Sequence, residues 1–312
     1  MTNFNFNDVI GALSHIKGGI PARRLSARVR LADHKSVFFG PSYDFYDIQE
    51  YDPERDEPNQ IIPGLTGPNG EIFARKCIEQ HEMKVIFLVD LSSSIDAGLN
   101  LAKRKMLLES FGYLGITGVR YQDPIGFVGF TDRIVLNQPA RCGVNNFYHL
   151  LRIVYDFLSE KDSNNKTIHK KETDFFTALD FVRKSFDKPC FIPVISDFVG
   201  FEKVAGSSLL RAVIAKHEMV FIFLDDPLEF LAAEGIGQIR MEDIEDGSQF
   251  VVSRKKLPQI EKEIRFQRKK MRKDLRRMGI DSVVLEYGKQ GRHFNRLNRF
   301  FLKRYKQPNF GR

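Results

Sequence analysis

Long apolar runs are missing from this sequence: no stretch approaches the roughly 18 uninterrupted apolar residues that span a bilayer. The opening "MTNFNFNDVIGALSHIKGG" also lacks the basic start and apolar block of a secretory signal. Cysteine is scarce. Cys77, Cys142 and Cys190 are scattered, without the paired spacing of a zinc site or a disulfide frame, which points to reduced thiols and a cytoplasmic setting. There is no G-x-x-x-x-G-K-[ST] loop, so a P-loop ATPase is excluded, and no Gly-x-Ser-x-Gly nucleophile elbow. The seven histidines contain no H-x-x-x-H pair. These absences argue against an enzyme, and no catalytic residue is assigned.

What is present describes a globular chain. Hydrophobic residues make up 42% and charged residues 28% of 312, enough for a substantial core in one large or two smaller domains. Charge is uneven. From residue 251 onward there are 20 Lys+Arg against 5 Asp+Glu, leaving 28 of the 48 basic and 35 of the 40 acidic residues to the rest. The basic character belongs to the C-terminal fifth. That is a local patch rather than the domain-wide footprint of a nucleic-acid-binding protein.

Residues 1–80 read as an N-terminal segment rich in strands and loops, packed on a main domain at 81–312. "RLSARVRLADHKSVFF" predicts one or two strands. "YDFYDIQEYDPERDEPNQIIPGLTGPNG" reads as a solvated loop or a surface against a neighbouring domain. From about residue 81, short apolar runs alternate with amphipathic stretches. "KVIFLVD", "PIGFVGF", "CFIPVISDF", "MVFIFLDD" and "DSVVLEYG" read as strands. Between them lie helices, of which "NLAKRKMLLESFGYLG" is expected to close at Gly115, and the helix over 257–279 to be capped by Gly279. A last helix covers "HFNRLNRFFLKRYK". The pattern predicts an α/β fold, a doubly wound and mostly parallel sheet covered by helices on both faces. Pro193 removes one ladder donor from its strand, which is expected to bulge there or to begin at Val194.

One junction is unusual. In "VIFLVDLSSSIDAG" five apolar residues run into Asp90, and a serine cluster follows at once. Ligands of open parallel sheets bind beyond the carboxyl ends of strands. Two further strand-end or helix-start positions repeat the oxygen chemistry, at Thr173 with Asp174 and at Asp197. Asp90, Ser92, Ser94, Thr173 and Asp197 together offer two carboxylates and three hydroxyls, all hard ligands, which is the donor chemistry of Mg²⁺. Each residue also has a plainer reading, since Ser, Thr and Asp are common helix caps.

Asp-x-Ser-x-Ser at 90–94, Thr173 followed by Ala178 and Leu179, and the aspartate of "ISD" resemble the metal-ion-dependent adhesion site of von Willebrand factor A domains. More closely, the chain resembles the bacterial family known as domain of unknown function fifty-eight. "EYDPERDE" (Glu50 to Glu57) matches its turn, "HEMVFIFLDDPLEF" (His217 to Phe230) its strand end, and "LNRFFLKR" its closing helix. The resemblance runs from about residue 38 to 305. It implies a von Willebrand A/Rossmann-like fold in which Ser92 and Ser94, with Thr173, touch a divalent ion while Asp90 and Asp197 hold it through water. The ion is Mg²⁺, or Mn²⁺ or Ca²⁺. An ion held mostly by neutral hydroxyls keeps much of its positive charge and attracts a carboxylate from another protein. The implied function is metal-dependent binding of a protein partner, a MoxR-type AAA+ ATPase, in maturation or assembly of a client complex.

Two alternatives are weighed against it. A phosphate hydrolase of the haloacid type needs a second aspartate two residues after the first, and that position is Ser92. The basic helix "RKKLPQIEKEIRFQRKKMRKDLRRMG" could grip phosphate backbones, but such a run is more commonly the solvated face of a helix.

Overall fold

A computed structural model describes residues 6–14, 43–53, 61–68, 70–79, 84–96, 102–163, 173–225, 238–242, 249–253, 257–286 and 292–306. The predicted strands at 24–39, the second half of "EYDPERDE" and the end of "HEMVFIFLDDPLEF" lie outside the described residues. The chain divides into two compact units, one of residues 28–82 and the other of 1–27 with 83–312.

The smaller unit is a three-stranded antiparallel sheet, order β1–β3–β2, made of β1 (Tyr43–Glu50), β2 (Ile61–Thr66) and β3 (Ile72–Glu79). The segment "YDFYDIQE", expected to be part of a solvated loop or of a surface against a neighbouring domain, is therefore a strand. Aromatic or aliphatic and acidic residues alternate along it, and the register slips between Phe45 and Asp47, where two aromatics stand side by side in the sequence. In β2, Pro63 and a left-handed Gly64 (φ 83°) leave the pairing with β3 irregular.

The larger unit is built on six strands in the order β11–β8–β7–β4–β5–β6. These are β4 (Val85–Asp90), β5 (Ile125–Phe130), β6 (Ile134–Arg141), β7 (Phe191–Ser196), β8 (Glu218–Asp225) and β11 (Asp281–Glu286). All pairs are parallel except β5 with β6. β9 (Gln238–Glu242) and β10 (Gln249–Ser253) form a separate antiparallel pair. The sequence reading missed β6. Its half-exposed residues and Pro139 carry no continuous apolar signal, which suits an edge strand. Pro193 does lie within β7. The ladder to β4 pairs Val85 with Phe191 and resumes only at Leu88 with Val194, skipping the position where the proline has no N–H to give.

Every residue of β4 is buried, and its side chains alternate between two cores. Val85, Phe87 and Val89 share one core with residues of α1 (Phe6–Ser14), α2 (Ala102–Arg120), α3 (Val144–Ser163) and α7 (Arg292–Lys306). Ile86 and Leu88 meet α4 (Phe175–Ser185), α5 (Ser208–Lys216) and α6 (Leu257–Arg277) on the other face. Period-2 strands between two helical layers are what a continuous apolar run in a parallel sheet produces. Helix α2 does not stop at Gly115 but continues to Arg120. A Cβ at Gly115 would lie 2.0 Å from Phe147 Cε2, so this glycine admits α3 rather than ending the helix. Gly279 (φ 76°) follows α6 in the left-handed conformation expected of a C-terminal cap. Among the described residues no helix is long and apolar enough to cross a membrane.

The chain leaves β4 for β5 on one side, then returns to place β7 on the other side of β4. The carboxyl ends of β4 and β7 therefore flank the point where strand order reverses, the position at which doubly wound sheets open a crevice.

Candidate metal centre

Asp90 and Ser196 end these two strands, and Asp197 follows directly. Asp90 Oδ1 accepts the Ser92 N–H (2.9 Å) and Oδ2 accepts the Ser196 hydroxyl (2.7 Å), which itself accepts the Phe198 N–H (2.7 Å). The 3-10 turn Ser93–Asp96 folds the serine loop back over the strand ends. It sets Ser92 Oγ 2.9 Å from Ser94 Oγ, and Ser94 Oγ donates to Asp197 Oδ1 at 3.2 Å. All four residues are buried, Asp90 fully.

Thr173 sits at the same end of the sheet. Its neighbour Asp174 donates its N–H to Thr131 O, just beyond β5. Asp174 is the cap of α4: Oδ1 accepts from Phe176 N and Thr177 N, and Oδ2 from Thr177 Oγ1 at 2.6 Å. That leaves the Thr173 hydroxyl uncommitted, and its oxygen is buried with no hydrogen-bond partner. The structure thus joins Asp90, Ser92, Ser94 and Asp197 in one hydrogen-bonded cluster. It puts Thr173 at the same end of the sheet, outside that network.

Two residues of the cluster were not among those expected. Ser196 ties β7 to Asp90; its signal in the sequence was only its place before Asp197. Lys103, near the start of α2, is 1% exposed. Its Nζ donates to Asp197 Oδ2 at 3.1 Å and to Ser94 O at 3.3 Å. No spacing rule links a helical lysine to a strand end 94 residues away. Phe198, next to Asp197, is a buried residue held at φ 59°, a conformation costing a non-glycine residue roughly 1–3 kcal/mol. Its ring is locked among Phe175, Phe201, Phe221 and Phe223, with centroids 4.2 to 5.7 Å away.

The electrostatics are lopsided. Burial, and secondly the facing Asp197, push the Asp90 carboxyl up to about 7, despite the hydrogen bonds from Ser196 and Ser92 that favour its ionised form.

Among the described residues no group of three or more His, Cys, Asp and Glu is placed to hold a metal. A cation here would rely on hydroxyls and two carboxylates. Three observations fit such an ion. The donors are all oxygen. The Thr173 oxygen is buried without a partner. The 2.9 Å between Ser92 Oγ and Ser94 Oγ equals the edge, about 2.9 Å, of an octahedron with Mg²⁺–oxygen bonds of about 2.0–2.1 Å.

The family described as "Protein of unknown function DUF58" matches residues 50–276, most of the sequence. The chain is a member of this family. Several solved structures are similar to this DUF58 protein at low identity. The conserved hypothetical protein BatB from Bacteroides thetaiotaomicron shares 15% identity over 72% of this chain and 100% of its own, with a TM-score of 0.40. An aerotolerance-related membrane protein from Bacteroides fragilis NCTC 9343, with multiple mutations to serines, shares 14% over 71% and 99%, with a TM-score of 0.39. The PilB minor pilin from Streptococcus sanguinis shares 10% over 80% and 66%, with a TM-score of 0.38. No curated protein matches this DUF58 sequence.

Proposed function

We propose that this DUF58 protein is a cation-dependent protein-binding module of the von Willebrand A type, with no catalytic role of its own. The observation that carries the reading is the convergence of Asp90, Ser92, Ser94 and Asp197 at the strand-order reversal. Ser92, Ser94 and Thr173 would contact Mg²⁺ (or Mn²⁺ or Ca²⁺), with Asp90 and Asp197 bracing the ion and its waters. When bound, the ion supplies a positive charge with a coordination position open to a partner's carboxylate. The surroundings suit a protein partner. Val199, two residues after Asp197, is 40% exposed, and Phe176, three after Thr173, is 42% exposed. Val199 is an apolar contact on the loop after β7, and Phe176 one in the first turn of α4. By the family resemblance, the partner is a MoxR-type AAA+ ATPase acting on a client complex; the scattered cysteines support a cytoplasmic setting.

Affinity capture from the native host, with and without chelator, tests this. Asp90→Ala combined with Ser92→Ala should leave the circular dichroism spectrum intact and abolish capture in Mg²⁺. An ATPase among the chelator-sensitive partners supports the adaptor role. Unchanged capture by the double variant rejects the metal-gated reading.

A second reading, nucleic-acid binding, has one observation in its favour. A cavity of about 610 Å³ lies between α6 and the start of β11, lined by Phe266, Lys269, Arg272, Lys273 and Arg276 among others. Arg272 Nε is buried with no hydrogen-bond partner, and burial with the nearby Arg296 and Arg276 disfavours its charge. An unneutralised guanidinium beside an aromatic ring that is 67% exposed would suit phosphate and a stacked base. Fluorescence anisotropy with a single-stranded oligonucleotide should then show log K falling steeply with log salt, and less steeply in Lys269→Glu/Lys273→Glu. A flat salt dependence dismisses this second reading.

A further inference from the structure

We infer that Lys103 is the built-in monocation of the oxygen cluster, weakening its hold on a bare divalent ion and making that hold depend on an acidic group brought by the ligand. The inference rests on the cation-site reading above and concerns how that site is regulated.

A lysine that is 1% exposed needs a partner, because desolvating an ammonium is costly. Asp197 supplies one, and the contact is directional. The carboxylate is divided between two jobs: Oδ2 faces Lys103, while Oδ1 accepts the Ser94 hydroxyl and the Val199 N–H. The ammonium also braces the Ser94 carbonyl. Lys103 therefore occupies the oxygen of Asp197 turned away from the serine hydroxyls. It can remain in place when an ion sits among the hydroxyls, and it cannot be screened by bulk water.

Charge counting then sets the behaviour. Among the described side chains, with both carboxylates ionised, Asp90, Asp197 and Lys103 sum to one negative charge. A divalent ion brings the cluster to one positive, and a carboxylate from outside brings it to neutral. Without the lysine the ion alone would neutralise the pair of carboxylates, and nothing electrostatic would recruit an acidic ligand. In a site this dry a charge step of one unit is a large effect. Lys103 thus lowers metal affinity in isolation and couples it to ligand binding. It also gives Asp197 a cation at all times, so the cluster can assemble before any ion arrives.

Mn²⁺ titrated calorimetrically, with and without acetate as the carboxylate probe, tests the coupling in the full chain. The wild-type protein should bind Mn²⁺ weakly and several-fold more tightly in acetate. Lys103→Met should bind at least tenfold more tightly without acetate and lose the enhancement, whereas Lys103→Arg, which keeps the charge, should follow the wild type. If Lys103→Met binds Mn²⁺ no better than wild type, or keeps the acetate effect, the lysine's role is overturned while the metal site stands. If neither protein binds Mn²⁺, the metal site itself fails and this inference with it. Should Lys103→Met unfold in chelator, the wild-type ¹⁵N-lysine spectrum decides: the Lys103 resonance should move on Mg²⁺ addition, and an unmoved resonance refutes the coupling.

Discussion

Asp90 carries its charge where both burial and Asp197 oppose it, and this has a consequence for stability. Its carboxyl ionises near 3.8 in the unfolded chain and near 7 in the folded one. Folding therefore takes up a proton between these values. The contribution of this group is most favourable below about pH 4, falls as pH rises toward 7, and is level above. About 3 pK units would correspond to roughly 4 kcal/mol at most. Asparagine keeps an acceptor for Ser92 N and offers a donor to Ser196 Oγ. In chelator, thermal melts should show the wild type losing stability relative to Asp90→Asn from pH 4 to 7. Parallel curves would mean that the carboxyl is ionised throughout. That Asp90 ends one strand, that Asp197 follows another and that serines crowd the first loop was readable because strand ends and oxygen side chains follow local rules. Lys103 was not readable, since α2 must first pack on the sheet before its ammonium reaches Asp197.

At the scale of elements, α2 shows how packing overrides propensity. Gly112 and Gly115 both lower helix propensity, by about 1 kcal/mol each relative to alanine. Yet a Cβ at Gly112 would lie 2.5 Å from Leu13 Cδ1 of α1, and one at Gly115 2.0 Å from the Phe147 ring of α3. They are flat seats for two neighbouring helices. Gly115→Ala should therefore destabilise the protein by about 1–3 kcal/mol in urea unfolding, although alanine is the better helix former. Pairing it with Phe147→Leu should recover part of the loss. A stabilised single variant would contradict the close packing of α2 on α3. The same distinction explains the misplaced helix end: in sequence, a glycine that stops a helix and one that seats a neighbour look alike. Strand β6 and the 43–50 strand were missed for a related reason. One is a half-exposed edge and the other carries a register slip, so neither shows a clean period.

Across the whole molecule, charge is sorted to two ends of one sheet. The oxygen cluster lies at the carboxyl ends of β4 and β7. The basic cavity lies at the amino end of β11, and all strands from β4 through β7 and β8 to β11 run parallel. Sites at opposite strand ends share no side chain, and distant substitutions add. Lys269→Glu/Lys273→Glu should leave Mn²⁺ affinity within about twofold of wild type. A larger change would show that the two ends are coupled. The C-terminal helix is also held from within. Arg304 of α7 meets Asp281 Oδ2 at 2.6 Å and Glu218 Oε1 at 2.8 Å, so part of the basic excess is spent on a buried ion network.

The amino-acid order alone determined the alternation of buried strands and amphipathic helices, the parallel sheet, and the oxygen residues at the strand ends. All of these follow from the period of apolar side chains and from the chemistry of single residues. Only the tertiary structure decided which of those oxygens share hydrogen bonds, that Thr173 keeps a buried hydroxyl without a partner, and that Lys103 lies against Asp197. Those facts depend on how elements far apart in the chain pack across the reversal of strand order, and no local pattern encodes such a distance.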